Sequence, residues 1–226
     1  MRMKRKGLVP MVLLLGFTGC VLPVDISIGD GAYVRGSGHV VTETRSVAPF
    51  DGIQVSGAVV VDLVQTGFEG VTIRAEDNLL PYLETRVEGG MLHIGFRGNV
   101  SVSPRHDVVV EVDAYELVEV RGSGAVRIEA SLAWAPQMWV DLSGASSLSM
   151  YGEADKLNVS LSGASRFDGL EYEAQRADVG VSGASSAFVW VRDRLDAVAS
   201  GASHIRFRGR PEVRASVSGA STVTPY

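Results

Sequence analysis

From residue 120 to the end of the chain, apolar and polar residues alternate, and a Gly-Ala-Ser tripeptide interrupts the alternation at near-even intervals. Val140, Leu142, Gly144, Ser146, Leu148 and Met150 are spaced two apart, as are Val179, Val181, Gly183, Ser185, Ala187, Val189 and Val191. A period of two predicts strands with one buried face. The intervening residues, Asp141, Ser143, Ser147 and Ser149 in one copy and Gly180, Ser182, Ser186 and Trp190 in another, face out. In the middle of each inward row the side chains shrink to Gly and Ser. Small residues there predict a bend or a close approach of neighbouring backbone.

The interruptions also define a repeat. With Val120-Arg-Gly122-Ser123-Gly124 taken as an earlier copy, the first glycines fall at 122, 144, 163, 183, 201 and 219. Self-similarity at a period near 20 is the mark of a stacked solenoid. So short a repeat has no room for a strand, a full helix and two turns. The pattern therefore predicts an all-β fold, a parallel β-helix with coils of about 18–22 residues. About nine coils are expected, a rod about 45 Å long at ~4.8 Å per coil.

Residues 35–112 keep the β character with looser spacing. Val40-Val41, Val59, Val61 and Leu63, Val71 and Ile73, Leu92, Ile94 and Phe96, and Val108 to Val112 are strand cores. Gly67, Gly70, Gly89-Gly90 and Gly98-Asn99 mark turns. Residues 76–84 do not alternate, so a short helical turn or loop is expected there, with Asn78 to Leu83 covering one end of the solenoid. At the other end Pro225 cannot donate to a further strand.

The first residues belong to targeting. Arg2, Lys4, Arg5 and Lys6 precede an apolar run, Gly7 to Gly19, that is too short to span a bilayer and has the form of a secretory signal. It ends Phe17-Thr18-Gly19-Cys20, which resembles the bacterial lipobox, with Phe17 where that pattern prefers Leu. This predicts a lipoprotein signal at 1–19, acylation of Cys20, a tether over 20–34 and a single domain over 35–226. Several acyl chains on Cys20 would anchor the protein firmly, since one alone is marginal. Cys20 is the only cysteine, so the fold stands without an intramolecular disulfide.

Removing the four basic residues of the signal takes the formal charge from −5 to −9. An acidic chain speaks against a nucleic-acid partner and against a polybasic grip on anionic lipid.

A family resemblance enters through the N-terminal motifs. Gly36-Ser37-Gly38, Val40-Val41-Thr42-Glu43-Thr44-Arg45, Phe50-Asp51-Gly52-Ile53, Val55-Ser56-Gly57, Asn78-Leu79-Leu80-Pro81 and Val87-Glu88-Gly89-Gly90-Met91-Leu92-His93-Ile94 resemble the bacterial head GIN domain in order and spacing. The likeness covers about residues 35 to 226, and the Gly-Ala-Ser copies look like that family's Gly-Ser-Gly. The resemblance implies a right-handed parallel β-helix, similar in shape to pectin lyases, without an established catalytic site. Adhesion is the role suggested for the family, on architecture.

Candidate chemistry is sparse. His39, His93, His106 and His204 are scattered, with no metal-ligand spacing, and no phosphate loop is present. No metal or cofactor is expected. A nucleophilic serine needs a base beside it, whereas these serines recur with the repeat and read as structural. Glu119 and Asp141 are the one carboxylate pair that neighbouring coils could bring together, as acid and base or around a cation. Asp168, Asp193 and Asp196 fall where turns are expected. Trp139, Trp190 and Tyr151 are candidates for ligand contact, a glycan platform among the options, and both tryptophans lie out of phase with the inward rows.

Together these readings predict a non-enzymatic, lipid-anchored cell-envelope protein, on the outer membrane or cell surface, acting as an adhesion or interaction module. A periplasmic scaffold that binds a partner protein is the alternative. A polysaccharide-active enzyme of pectin-lyase shape is the third reading, disfavoured because no cluster of acidic and basic residues is evident.

Overall fold

The computed structural model describes residues 32–226. The expected signal, Cys20 and most of the expected tether lie outside the described residues. The last three tether residues, 32–34, belong to strand β1 (Ala32–Arg35).

Among the described residues, eighteen strands and one 3-10 turn follow one another. The N-terminal half holds β1, β2 (Val40–Arg45), β3 (Gly52–Gly57), β4 (Val60–Gln65), β5 (Gly70–Glu76), β6 (Leu83–Glu88), β7 (Met91–Phe96), β8 (Val100–Ser103) and β9 (Val109–Ala114). The repeats supply β10 (Glu119–Gly124), β11 (Arg127–Ser131), β12 (Ala135–Leu142), β13 (Ser147–Leu161), β14 (Arg166–Val181), β15 (Ser186–Ala199), β16 (His204–Arg208), β17 (Glu212–Val217) and β18 (Thr222–Pro225). The 3-10 turn, Leu80–Tyr82, stands where the alternation fails.

The repeats stack as a β-solenoid with two walls. The front wall runs β6-β7-β3-β10-β12 and continues through the second halves of β13, β14 and β15 to β17. The back wall runs β2-β5-β9-β4-β11 and continues through the first halves of β13, β14 and β15 to β16 and β18. Each of the three long strands therefore serves both walls, bending between them.

The core is a set of ladders between the walls. Leu92, Ile53, Val120, Val140, Val159, Val179 and Ala197 are successive register partners, all buried. Val110, Val61, Ile128, Leu148, Phe167, Ala187 and Ile205 face them from the back wall. Each large aliphatic side chain so buried contributes roughly 1.5–3 kcal/mol.

Two details of the repeat differ from the sequence expectation. First, the copy at 122–124 is in register through Gly124, and Gly122 takes the inward place of Leu142. The stacked glycines are thus Gly57, Gly124, Gly144, Gly163, Gly183, Gly201 and Gly219. Second, these glycines are not inward. They sit at the corner between the walls with φ between 72° and 91°, a left-handed conformation that disfavours any Cβ. The buried small residue is the serine two places on. Ser146, Ser165, Ser185 and Ser203 are all buried. Ser146 Oγ donates to the Ser143 carbonyl at 2.8 Å, and Ser165 Oγ to that of Ser162 at 2.8 Å. These serines serve the corner rather than any nucleophilic chemistry.

The regular stack is also shorter than nine coils. From Gly124 to Gly219 the chain makes five consecutive turns that connect six levels, and the level of β3 and β4 adds one below them. That gives seven levels, about 29 Å from first to last at ~4.8 Å. The reason is that the N-terminal half does not coil in sequence order. After β4 the chain leaves the stack, builds β5 to β9, and returns so that β10 and β11 land directly on β3 and β4. Antiparallel pairs β2-β5, β5-β9 and β6-β7 close that end.

Glu76, beside the 3-10 turn, is buried in the closure. Its carboxylate accepts amide hydrogens from Gly38 at 2.6 Å and Arg105 at 2.9 Å. Burial alone would raise its pKa, but those amides and His106 hold it below the ordinary value.

A Cβ on Gly163 would lie 2.6 Å from the Gly144 carbonyl oxygen, the acceptor of the Ala164 amide at 2.7 Å. Gly163→Leu is therefore expected to cost about 1–3 kcal/mol in backbone strain alone. Gly180→Ala, where the nearest atom is 3.9 Å away, is expected to leave Tm nearly unchanged. Thermal unfolding of the two variants against wild type checks this, and equal melting would refute the corner assignment.

Candidate functional site

The inward rows are committed to the core, so the outward rows are free to vary. On the front wall, register aligns Glu119, Trp139, Asn158, Asp178, Asp196 and Arg214 in one column along the rod axis. A second column holds Arg121, Asp141, Ser160, Gly180, Val198 and Ser216. A third holds Gln137, Lys156, Arg176, Arg194 and Glu212.

Where the second column falls to Ser160 and Gly180, the wall carries a hollow of about 600 Å³. Glu119 and Arg121 stand at one end, on β10, with Trp139 and Asp141 beside them on β12. Asp196 and Val198 stand at the other, on β15. Trp139 is 50% exposed and Val198 56%, an unusual outlay of apolar surface for positions with polar neighbours. Asn158, opposite Trp139, is buried, and its Nδ2 donates to the Met138 carbonyl at 3.3 Å.

The first column pairs with the columns on either side of it. Lys156 Nζ lies 2.6 Å from Asp178 Oδ2. Arg194 holds Asp196 with two hydrogen bonds, of 2.7 and 3.1 Å. Arg121 Nε donates to Glu119 Oε1 at 2.6 Å. Asp141 has no ion-pair partner among the described residues. The Arg194 guanidinium, through its hydrogen bond first and then its charge, holds the Asp196 carboxyl below the usual aspartate range, with help from Arg214.

Glu119 and Asp141 do not face each other as the sequence suggested. Trp139 is the register partner of Glu119, and Arg121 is that of Asp141. The difference follows from the two-residue shift at Gly122. Asp168, Asp193 and Asp196 lie within strands rather than turns. Trp139 and Trp190 point out as expected but belong to different walls. Trp190 is half-buried on the back wall with the Arg208 guanidinium 4.3 Å above its ring, so that face is already occupied. Trp134, 53% exposed, was not singled out by the sequence, and its Nε1 donates to Asp155 Oδ1 at 3.2 Å. The described residues contain no cluster of three or more His, Cys, Asp or Glu able to hold a metal ion.

A rod of stacked parallel coils with an open, polar-rimmed hollow on one wall is a β-solenoid. The profile of the family described as "Putative auto-transporter adhesin, head GIN domain" matches residues 49–211, well over half of the chain, and the chain belongs to that family. Solved structures share the fold. A "putative adhesin" from Bacteroides fragilis superposes with a TM-score of 0.68 at 15% identity, covering 84% of this chain and 98% of that one. A "putative adhesin" from Parabacteroides merdae gives 0.58 at 21% identity, with coverage of 87% and 100%. A "Putative lipid binding protein" from Parabacteroides distasonis gives 0.57 at 18% identity, with coverage of 86% and 99%. No curated protein matches the chain.

The pairing of Asp196 has a pH signature. Its folded pKa is depressed, so its stabilisation is present above the unfolded value of about 3.9 and is lost as pH falls through the folded value. Asp196→Asn is expected to lower Tm slightly at neutral pH, where the pair is present, and to flatten the acid limb of the Tm–pH curve below about pH 4. An unchanged acid limb would count against the pair.

Proposed function

We propose that the protein is a non-enzymatic interaction module of the bacterial cell envelope, a short rod held on a membrane by lipid at Cys20 and presenting its front wall to a partner. The observation that carries this reading is the hollow beside Trp139, an exposed aromatic and apolar surface carried on a wall of paired parallel strands. Membership of a family described as an adhesin is consistent with it. The engagement of Glu119 by Arg121, and the offset of Asp141 from it, support a binding rather than a catalytic use of the wall.

The lipobox-like Phe17-Thr18-Gly19-Cys20 and the charged, apolar leader before it support export and anchoring. Presentation on the cell surface suits an adhesin; confinement to the periplasm suits a scaffold for a partner protein. In cells grown with a fatty-acid probe, wild type is expected to label and Cys20→Ala to lose the label. Added protease is then expected to cleave the anchored protein on intact cells. Protection on intact cells with cleavage after outer-membrane permeabilisation would replace the adhesin with the periplasmic scaffold.

A further inference from the structure

We propose that the hollow at Trp139 is a carbohydrate site that takes an uncharged chain of pyranose rings laid along the rod axis, across the strands. This rests on the interaction-module reading and adds the ligand to it.

Four features point to this chemistry. The first is the pairing of apolar and planar polar groups. A pyranose has C–H faces that pack on an indole and hydroxyls that need acceptors and donors in the ring plane. The hollow offers the half-exposed Trp139 ring and Val198 as apolar ends, with Asn158, Asp178, Asp196 and Asp141 between and beside them.

The second feature is that the carboxylates are held but not exhausted. Lys156 and Arg194 neutralise Asp178 and Asp196 from the outer column. An ionised carboxylate has about four lone-pair sites, so each keeps capacity for hydroxyl donors.

The third is charge. Glu119, Asp141, Asp178 and Asp196 line the hollow against three paired cations, Arg121, Lys156 and Arg194, which leaves Asp141 without an ion-pair partner among the described residues and the site net negative. An acidic sugar would meet like charge, which gives discrimination by repulsion.

The fourth is spacing. The hollow runs across β10, β12, β13, β14 and β15, four inter-strand steps of ~4.8 Å, or about 19 Å. One step is close to the repeat of an extended pyranose chain, so successive rings meet successive strands. Ser160 and Gly180 keep the floor low enough for the chain to lie in.

The test is titration of the full chain, in detergent, with cello-, xylo- and N-acetylchito-oligosaccharides of two to six units, followed by tryptophan fluorescence and calorimetry. Oligogalacturonides and chitosan oligomers serve as the acidic and cationic probes. At least one uncharged series is expected to bind, tightening with length to about four units and then levelling. Trp139→Ala is expected to weaken it at least tenfold, and Trp190→Ala to leave it unchanged. Gly180→Leu fills the hollow from a position whose Cβ has 3.9 Å of clearance, so it is expected to fold normally and bind at least tenfold more weakly.

Failure of every uncharged series to bind would overturn the proposal. So would preferential binding of oligogalacturonides, or salt-sensitive binding of chitosan alone, which would mark a cation site. Binding that survives both Trp139→Ala and Gly180→Leu would overturn it too. Retention of the full chain on isolated envelopes separates the two levels. Equal retention of wild type and both variants removes the carbohydrate site and keeps the interaction module. No retention of wild type removes the module itself.

Discussion

One close contact repeats along the rod and makes the rest possible. At each corner a left-handed glycine lays its carbonyl under the amide that follows the next level's corner glycine, as Gly144 does for Ala164. A side chain on the upper glycine would collide with the carbonyl below it. The levels can therefore approach to strand-pairing distance at the corner only if every level has glycine there. The following alanine donates the bond, and the buried serine satisfies a carbonyl that the turn leaves behind. Gly-Ala-Ser is thus three separate requirements of one turn, which is why the tripeptide survives while the flanking residues drift.

That division explains what could be read from the sequence. Strand phase was legible because the core demands Val140, Leu142, Leu148 and Met150 on one side regardless of what lies outside. The role of glycine within the phase was not, because period-two counting places Gly144 in the inward row while its positive φ turns it to the corner. The level containing Gly122 and Gly124 offers two glycines at the right spacing, and only the stacking of Gly124 on Gly57 decides between them. The N-terminal levels were hidden for another reason. Stack order departs from sequence order there, so no fixed period exists to be found.

The front wall was partly legible. Trp139 stood out because a large aromatic at an outward position is conspicuous. Asn158, Asp178 and Asp196 did not, since each is an ordinary surface residue until register lines it up with Trp139. Aligning each copy one column further from the glycine would have revealed the acidic column and its basic neighbour, Lys156 to Arg194. The wall can be altered without touching the core, because the outward and inward rows share no side chains. A fold of this kind can keep its frame and exchange its binding face.

The placement of β3 and β4 has a consequence for how the molecule is made. Their upper neighbours, β10 and β11, and their lower ones, β7 and β9, all come later in the chain. Stacking Gly124 on Gly57 closes 67 residues, against 18 to 20 for each later turn. By loop-closure scaling that is about 1 kcal/mol more costly in chain entropy. The later coils can each zip onto the one before, but this first level waits between two unmade edges. In a chain synthesised from its N-terminus, β3 stays unpaired on both sides until material from β7 onward emerges, and gains its second neighbour only with β10. The oldest part of the polypeptide is in this sense the part that waits longest for its neighbours.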